Sequence, residues 1–363
     1  MEISQRQELP ILNRGKNSRP TAFFQKLYQT FKKAEEATGD PIERSYSIGG
    51  FTVKLRFAGR ALVPFLTPAL GHLENQSTTA PAVTICLWDS VSTGTDMPFP
   101  PWSQEDYLAR GEIRGYNDDR VYTNFNLGSG ILNMLDIQQN TALYWIRDAR
   151  KLPYYECGAP LLTVLNWWMG RHGRQIIHAG AVGTPQGGVL LVGKGGSGKS
   201  LTALTCLNSQ LLYAGDDYCL ITMNSTPFVY SLFCTGKVNP TDTKKISFLD
   251  EALSNAERLD SEKALFFFQG RFSEKLITGF PIKALLLPRI TGLSETRVKR
   301  TSASAGLTAL APSTIFQLPG AGSNVLQTLS FFVKQVPTYK LELGTDMTHI
   351  KKTLEDFLVE QGV

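Results

Sequence analysis

The feature that most constrains this chain is a glycine-rich turn set between an apolar segment and an amphipathic one. Residues 193–200 read GKGGSGKS and match G-x-x-x-x-G-K-[ST] at each fixed position. Residues 188–192 (GVLLV) have the composition of a buried strand, and residues 201–207 carry apolar side chains at helical spacing. A strand, a glycine loop and a helix in this order predict a phosphate-binding loop (P-loop) within an α/β domain.

Each part of this loop has a physical role in binding phosphate. Glycines let backbone N–H groups approach a phosphate, and the first turn of the following helix adds partial positive charge. Lys199 is placed to reach the β- and γ-phosphates of a nucleoside triphosphate, and the Ser200 hydroxyl is a ligand for Mg²⁺. The predicted nucleotide-contacting residues are Gly193, Lys194, Gly195, Gly196, Ser197, Gly198, Lys199, Ser200 and Leu201.

Two adjacent carboxylates, Asp216 and Asp217, follow the loop at the distance of one helix, between apolar residues 211–213 and 218–221. Burying such a pair without a cation is costly. One carboxylate can support Mg²⁺ through water, and the other can accept the proton of an attacking hydroxyl. The alternative is a turn or a helix cap. His178 lies in an apolar stretch just before the loop strand, and its spacing alone favours a buried structural histidine as much as a functional one.

Other signatures of nucleotide-using proteins are absent from the sequence. It contains no N-K-x-D of GTPases, no L-S-G-G-Q of transporter ATPases and no H-R-D with D-F-G of protein kinases. A 363-residue chain with 42% hydrophobic and 19% charged residues has the composition of a globular protein of two domains. The net charge of +5 is spread out, so we expect no nucleic-acid partner. We also expect no membrane association, because no apolar run reaches the roughly 18 residues of a membrane span. Five cysteines without a C-x-x-C pair favour a reducing, cytoplasmic location.

The three segments that carry these residues together resemble the HPr kinase/phosphorylase family. They are residues 178–182 (HAGAV), 188–200 and 214–218 (AGDDY). The likeness is greater to HPr-kinase-like relatives such as the lasso-peptide tailoring kinases, and it extends loosely to Lys237, residues 282–287 and residues 311–314. The resemblance implies an α/β P-loop kinase core, like the C-terminal domain of HPr kinase, preceded by an α+β N-terminal domain.

The resemblance also implies roles for individual residues. Asp217 would be the base that activates the acceptor hydroxyl, and Asp216 would support the metal together with Ser200. Lys199 would bind phosphate, and His178 would lie near the γ-phosphate and the acceptor. The segment with a metal-binding Glu and a downstream Arg in true HPr kinases has no match here, which leaves HPr as substrate and phosphorolysis unsupported. Lys237 and Arg271 are candidates for stabilising the transferring phosphoryl group, or else ordinary surface residues. Further charged residues of that region, without a matching motif, are Glu251, Glu262 and Lys275.

We accordingly predict a flexible basic arm at 1–20, an N-terminal α+β domain at 21–155 and a P-loop kinase domain at 156–363. The secondary-structure patterns predict helices at 21–37, 160–170, 324–336 and 348–358, strands at 51–57, 82–88, 142–146, 282–287 (ended by Pro288) and 339–343, a long loop at 90–119, and no clear element at 236–262.

The function implied by the resemblance is an ATP-dependent kinase, a phosphotransferase with an alcohol acceptor that uses ATP and Mg²⁺. It would pass the γ-phosphoryl group to a hydroxyl, of the Ser or Thr kind, in a peptide or small protein such as a ribosomally made peptide precursor. A homo-oligomer is implied too. Two alternatives stay open, a non-catalytic ATP-binding regulator and a kinase for a small-molecule hydroxyl.

Overall fold

The computed structural model describes residues 18–39, 41–76, 79–222, 226–318 and 323–363. The basic arm expected at 1–20 therefore falls outside the described residues up to position 17. Its last two residues, Arg19 and Pro20, begin the first helix.

A seven-stranded mixed sheet is built from the first part of the chain, in the order β3-β1-β2-β4-β7-β6-β5. The strands β2, β4 and β7 run parallel and the other pairs are antiparallel. The elements are α1 (Arg19–Thr38), β1 (Ile42–Ile48), β2 (Phe51–Phe57), α2 (Val63–Leu66), β3 (Glu74–Asn75), β4 (Val83–Asp89), α3 (Ser90–Thr93), β5 (Val121–Asn126), β6 (Ile131–Asp136) and β7 (Thr141–Ile146), with 3-10 helices at Pro68–Leu73, Gln104–Asp106 and Ala149–Lys151.

A second mixed sheet of nine strands follows, with a separate two-stranded ribbon of β14 and β15. The elements are α4 (Tyr154–Gly158), α5 (Leu162–Arg171), β8 (Gln175–Ile177), β9 (Ala179–Thr184), β10 (Gly187–Val192), α6 (Lys199–Thr205), β11 (Leu212–Gly215), β12 (Cys219–Thr222), β13 (Phe228–Tyr230), β14 (Thr235–Val238), β15 (Ala264–Phe267), β16 (Gly279–Ile290), β17 (Arg297–Thr301), α7 (Ala303–Gln317), α8 (Ser323–Gln335), β18 (Thr338–Leu343) and α9 (Met347–Glu360), with 3-10 helices at Cys206–Asn208, Pro240–Ala252, Ala256–Arg258 and Ser273–Lys275.

The order of the strands around β10 determines which side chains meet. Strand β9 lies between β10 and β11 and is antiparallel to both, so β10 and β11 run in the same direction. The residues that follow β10 and β11 and the residue that precedes β9 therefore lie at one edge of the sheet. On its other side, β10 pairs in parallel with β16, which in turn pairs in parallel with β18.

The chain packs around cores that the sequence pattern anticipates. In α1, Phe23, Phe24, Leu27 and Phe31 are buried, as their helical spacing predicts. One buried cluster joins residues of both sheets, since it includes Tyr46 of β1 and Leu220 of β12. All five cysteines are free, and Cys157 alone among them is partly exposed. Of the helices in the described ranges, none is long and apolar enough to cross a membrane.

Most predicted helices and strands are confirmed within two or three residues, but two predictions were wrong: that Pro288 ends its strand, and that 236–262 contains no element. Pro288 does not end its strand, because β16 continues to Ile290. Among the described residues, only β18 pairs with this strand beyond Leu286, so a residue without an N–H is tolerated there. The stretch at 236–262 contains most of β14 and two 3-10 helices, and the loop expected at 90–119 contains the short helix α3 and a 3-10 turn. The helix α7 was not predicted at all, because Pro312 interrupts its pattern.

Candidate functional site

The glycine loop (residues 193–200) connects the buried strand β10 to the start of α6. Gly196 and Gly198 have φ values of 76° and 102°, which side chains with a Cβ rarely adopt. A Cβ on Gly198 would also lie 2.5 Å from Leu343 Cδ1. Backbone geometry therefore favours glycine at both positions, and close packing against β18 also requires it at Gly198.

Lys199 is the first residue of α6 and is buried, with 5% of its surface exposed. Its ammonium group donates to the carbonyl oxygens of Gly193 at 2.6 Å and Lys194 at 3.1 Å. Burial lowers the pKa of Lys199, and the carboxylates of Asp216 and Asp217 act in the opposite direction. The ammonium thus lies inside the curve of the loop, within the electrostatic field of the acidic pair.

The backbone of the other loop residues lies around the Lys199 ammonium. Lys194, Gly195 and Gly196 are exposed, while the Ser197 hydroxyl is buried and has no hydrogen-bond partner among the described residues. Leu201 is partly buried and packs into the core beneath α6. The loop is therefore exposed to solvent at residues 194–196, and α6 anchors the loop to the core.

The acidic pair lies at the end of β11, on the edge of the sheet where the loop also lies. Asp216 is buried, and its Oδ2 accepts a hydrogen bond from the Lys237 backbone N–H at 3.3 Å. Its Oδ1 is buried without a partner in the described part of the chain. Burial, and next the Asp217 carboxylate, raise the pKa of Asp216 to about 6; the nearby Ser200 hydroxyl acts in the opposite direction.

Asp217 has a different environment from its neighbour, although the two are adjacent in sequence. Its φ of 70° places the backbone in the left-handed region. Asp217 Oδ2 is 2.9 Å from the Lys237 ammonium, and Oδ1 is 3.1 Å from His178 Nε2. Burial opposes ionisation, but Lys237 first and then His178 hold the pKa of Asp217 well below its usual range. The pKa of one carboxyl group of the pair is thus lowered, while that of the other is raised.

The histidine and the lysine reach this carboxylate from separate elements. His178 is the single residue between β8 and β9, and its backbone N–H donates to Thr314 Oγ1 of α7 at 3.2 Å. Lys237 comes from β14, whose position is fixed by a hydrogen bond of 2.6 Å from the Tyr213 hydroxyl to the Thr235 carbonyl oxygen. The structure therefore brings His178, Lys199, Asp216, Asp217 and Lys237 together around the end of the glycine loop.

The remaining charged candidates take no part in this cluster. Arg271 forms an exposed ion pair with Glu251. Glu262 accepts a hydrogen bond from Asn255 at 3.0 Å, and Lys275 donates to the Ser209 carbonyl oxygen at 2.7 Å. The role considered for Arg271 in charge stabilisation is not supported by its position.

Three further residues lie at the site, and the sequence analysis assigned none of them a role of its own. Tyr218 packs its ring against His178, with centroids 5.8 Å apart. Thr314 is buried on a helix that the pattern did not reveal. Glu156, on the short helix α4, is partly buried, and its carboxyl group forms no hydrogen bond or ion pair with another described residue. Burial raises the pKa of Glu156 to about 7, and the charge of Lys237 acts in the opposite direction.

The oxygen atoms of Asp216 and Ser200 are suitable ligands for a divalent cation whose other ligands come from phosphate and water. Within the described ranges, no cluster of three or more His, Cys, Asp and Glu could form a protein-only metal site. The Asp216 carboxyl group, whose buried Oδ1 has no hydrogen-bond partner among the described residues, lies near the Ser200 hydroxyl. Mg²⁺ in phosphate chemistry commonly takes one or two protein oxygens, and phosphates and water supply the rest.

Comparison with known proteins gives a distant likeness of fold. No family model and no curated protein matches the chain. Among solved structures, the chain is similar to the Hpr(Ser) kinase/phosphatase from Coxiella burnetii, at 9% sequence identity and a TM-score of 0.30. The match covers 52% of this chain and 99% of that one. The chain is a mixed α/β protein with two mixed sheets, and it has a weak and partial similarity in fold to this kinase.

Proposed function

We propose that this chain is an ATP-dependent kinase that transfers the γ-phosphoryl group to a hydroxyl of a peptide or small-protein acceptor, of the Ser or Thr kind. The observation that carries the proposal is the position of Asp217. It follows β11 at the edge of the sheet where the glycine loop lies, and it is held by both Lys237 and His178.

The triphosphate would bind along the glycine loop, as expected of a P-loop. Backbone N–H groups and the start of α6 supply partial positive charge, and Lys199 supplies a full one. The ammonium of Lys199 now donates to two carbonyl oxygens of its own loop. Phosphate oxygens would take over these hydrogen bonds, and the desolvated ammonium gains from the exchange because it is paired only with neutral groups.

The residues proposed to hold Mg²⁺ are Ser200 and Asp216. When bound, Mg²⁺ supplies charge neutralisation for the phosphate oxygens. Burial and the adjacent carboxylate raise the pKa of Asp216, and a bound cation would lower it and so favour the ionised form. Its buried and unpartnered Oδ1 would then gain a partner.

The acceptor hydroxyl would lie beside Asp217. In the transfer, the acceptor oxygen forms a bond to the γ-phosphorus while the bond to the bridging oxygen breaks, which releases the nucleoside diphosphate. The hydroxyl proton passes to the Asp217 carboxylate and from there to solvent. Since phosphoryl transfer has a loose transition state, positioning of the hydroxyl matters more than the strength of the base, and an ionised Asp217 is suited to this task.

Lys237 and His178 would act on the same carboxylate in two ways. They fix its orientation, and Lys237 adds positive charge close to the transferring group. Both side chains are buried, so these interactions are screened less than surface pairs.

The proposal is tested by mass spectrometry of acceptors incubated with the full chain, ATP and Mg²⁺. The acceptors are peptides encoded by neighbouring genes, a set of Ser, Thr and Tyr peptides, and free serine and glycerol. A gain of one phosphate that is lost with Lys199→Ala supports the kinase. Transfer only to serine or glycerol replaces the peptide acceptor by a small molecule, and ATP binding without transfer to any of them favours a nucleotide-binding regulator.

A further inference from the structure

A cleft of about 1020 Å³ opens beside the glycine loop. One wall is the loop itself, residues 193–197, and the floor includes Leu287, Pro288 and Ile290 from β16. The other wall is α7, with Pro312 and Phe316. Strands β16 and β11 lie on opposite sides of β10, so the cleft opens on the β16 side of the loop, whereas Asp217 follows β11 on the other side.

This arrangement gives direction to a triphosphate bound on the loop. Its γ end must lie near Ser200, Asp216 and Asp217, on the side of β9 and β11, because transfer takes place there. The nucleoside is attached at the opposite end of the triphosphate. It therefore extends over residues 193–197 towards β16 and into the cleft, whose volume is ample for a nucleoside.

The lining of the cleft has the chemistry that a nucleoside needs. Phe316 is 71% exposed and borders the cleft directly, so its ring is accessible to a ligand in the cleft. Such a ring offers a face on which a base can stack. The exposed cations Arg289 and Lys340 lie at the same cleft and can contact ribose oxygens or the first phosphate.

The orientation of Phe316 depends on the first sheet of the molecule. The Arg110 guanidinium lies 6.0 Å from the centre of the Phe316 ring and donates through Nη1 to the Leu318 carbonyl oxygen at 3.1 Å. Arg110 is itself held by Asn124 of β5, whose Nδ2 donates to the Arg110 carbonyl oxygen at 2.6 Å. The segment before β5 thus secures the end of α7 and places a cation against the aromatic ring.

We propose that this cleft binds the nucleoside of the triphosphate, with the base stacked on Phe316 and with Arg110 as the residue that positions this ring. The inference rests on the proposed use of a nucleoside triphosphate, and it gives the first sheet a role in recognising the nucleotide.

The test compares two ligands that share the phosphates but differ in the nucleoside. Calorimetry measures the binding of ATP and of inorganic tripolyphosphate, each with Mg²⁺, to the full chain. Phe316→Ala should weaken ATP binding about tenfold, the loss of one stacked base, and leave tripolyphosphate binding unchanged. The matched control is Phe99→Ala, since Phe99 is 90% exposed and lies outside the cleft.

The outcomes distinguish failure of the cleft proposal from failure of the proposed nucleotide site at the loop. Unchanged ATP binding by Phe316→Ala overturns the cleft proposal, and so does an equal loss for both ligands. Lys199→Ala should lose both ligands, and if it retains both, the proposed nucleotide site fails instead.

Arg110 is tested by its dependence on Phe316. Arg110→Ala should weaken ATP binding selectively, but in the Phe316→Ala background it should have no further effect. Arg110→Lys keeps the charge but not the planar fork, and should recover only part of the loss. Fully additive effects of Arg110→Ala and Phe316→Ala would show that Arg110 does not act through the ring.

Discussion

The Lys237 ammonium lies 2.9 Å from Asp217 Oδ2, and the two residues come from elements that are not neighbours in the main sheet. Asp217 follows β11 of the nine-stranded sheet, whereas Lys237 belongs to the separate ribbon of β14 and β15. The backbone N–H of Lys237 also donates to Asp216 Oδ2. A single residue of the ribbon therefore contacts both members of the acidic pair.

Replacing this lysine should affect both stability and activity. Lys237→Met leaves a largely buried Asp217 carboxylate with His178 alone, so we expect a loss of about 1–3 kcal/mol in the free energy of unfolding at pH 7. Phosphoryl transfer should fall about 100-fold because positive charge is lost at the transferring group. Urea denaturation and a transfer assay measure the two effects. The control is Lys244→Met, at an exposed position of the helix Pro240–Ala252, and equal stability of the two variants would contradict the account.

Glu156 should make the stability of the chain depend on pH. Its pKa is about 7 in the folded chain and 4.5 in the reference state, so the folded chain binds its proton more tightly. Stability from this group is present below pH 4.5 and is lost as the pH rises to about 7. Glu156→Gln should therefore be more stable than the wild type by about 1–3 kcal/mol at pH 8, with a much smaller difference at pH 5. Denaturation at both pH values tests this, with the exposed Glu360→Gln as control. The prediction would be contradicted if the difference in stability between Glu156→Gln and the wild type were the same at pH 5 and pH 8.

Two glycines of the loop should respond differently to the same substitution. Gly198→Ala places a Cβ 2.5 Å from Leu343 Cδ1 at a φ of 102°, so we expect a loss of about 1–3 kcal/mol. A Cβ at Gly195 meets no atom within 4 Å, and Gly195→Ala should leave the stability of the free protein nearly unchanged. Thermal unfolding without nucleotide compares the two directly. Equal melting temperatures would mean that the backbone at Gly198 relaxes without cost.

Thr314 should position His178 through its hydroxyl. Thr314→Val removes the acceptor for the His178 backbone N–H in a fully buried place, so we expect a loss of about 1–3 kcal/mol and lower transfer activity. Thr314→Ser keeps the hydroxyl and should retain most of the activity. If Thr314→Ser loses activity and Thr314→Val retains it, the methyl group matters and the hydroxyl does not. That result would mean that Thr314 contributes only to packing.

The sequence predicts the loop and its strand–loop–helix context because these rest on local rules. The fixed glycines and the apolar run at 188–192 are signals within a few residues of each other. Asp216 and Asp217 were found for the same reason, since they follow a short apolar strand. The structure adds that their two environments differ, which depends on the left-handed backbone of Asp217 and on partners from distant elements.

The rest of the site depends on tertiary contacts that no local pattern encodes. Glu156 and Thr314 are placed at the site by α4 and α7. The sequence pattern does not predict α7, because Pro312 lies inside it. Lys237 belongs to β14, a strand of four residues, three of which lie in the stretch at 236–262 where the sequence pattern predicts no element. Nothing in the composition of residues 104–120 points to a contact between Arg110 and the end of α7.

The most direct test of the central claim measures ATP binding and phosphoryl transfer in the same Asp217→Asn variant. Circular dichroism first establishes that the variant is folded. If Asp217 receives the acceptor proton and orients the hydroxyl, transfer should fall by about 10²- to 10⁴-fold while ATP binding stays close to that of the wild type. Full transfer activity in the variant would contradict the proposed role of Asp217, and with it the account of how this site works.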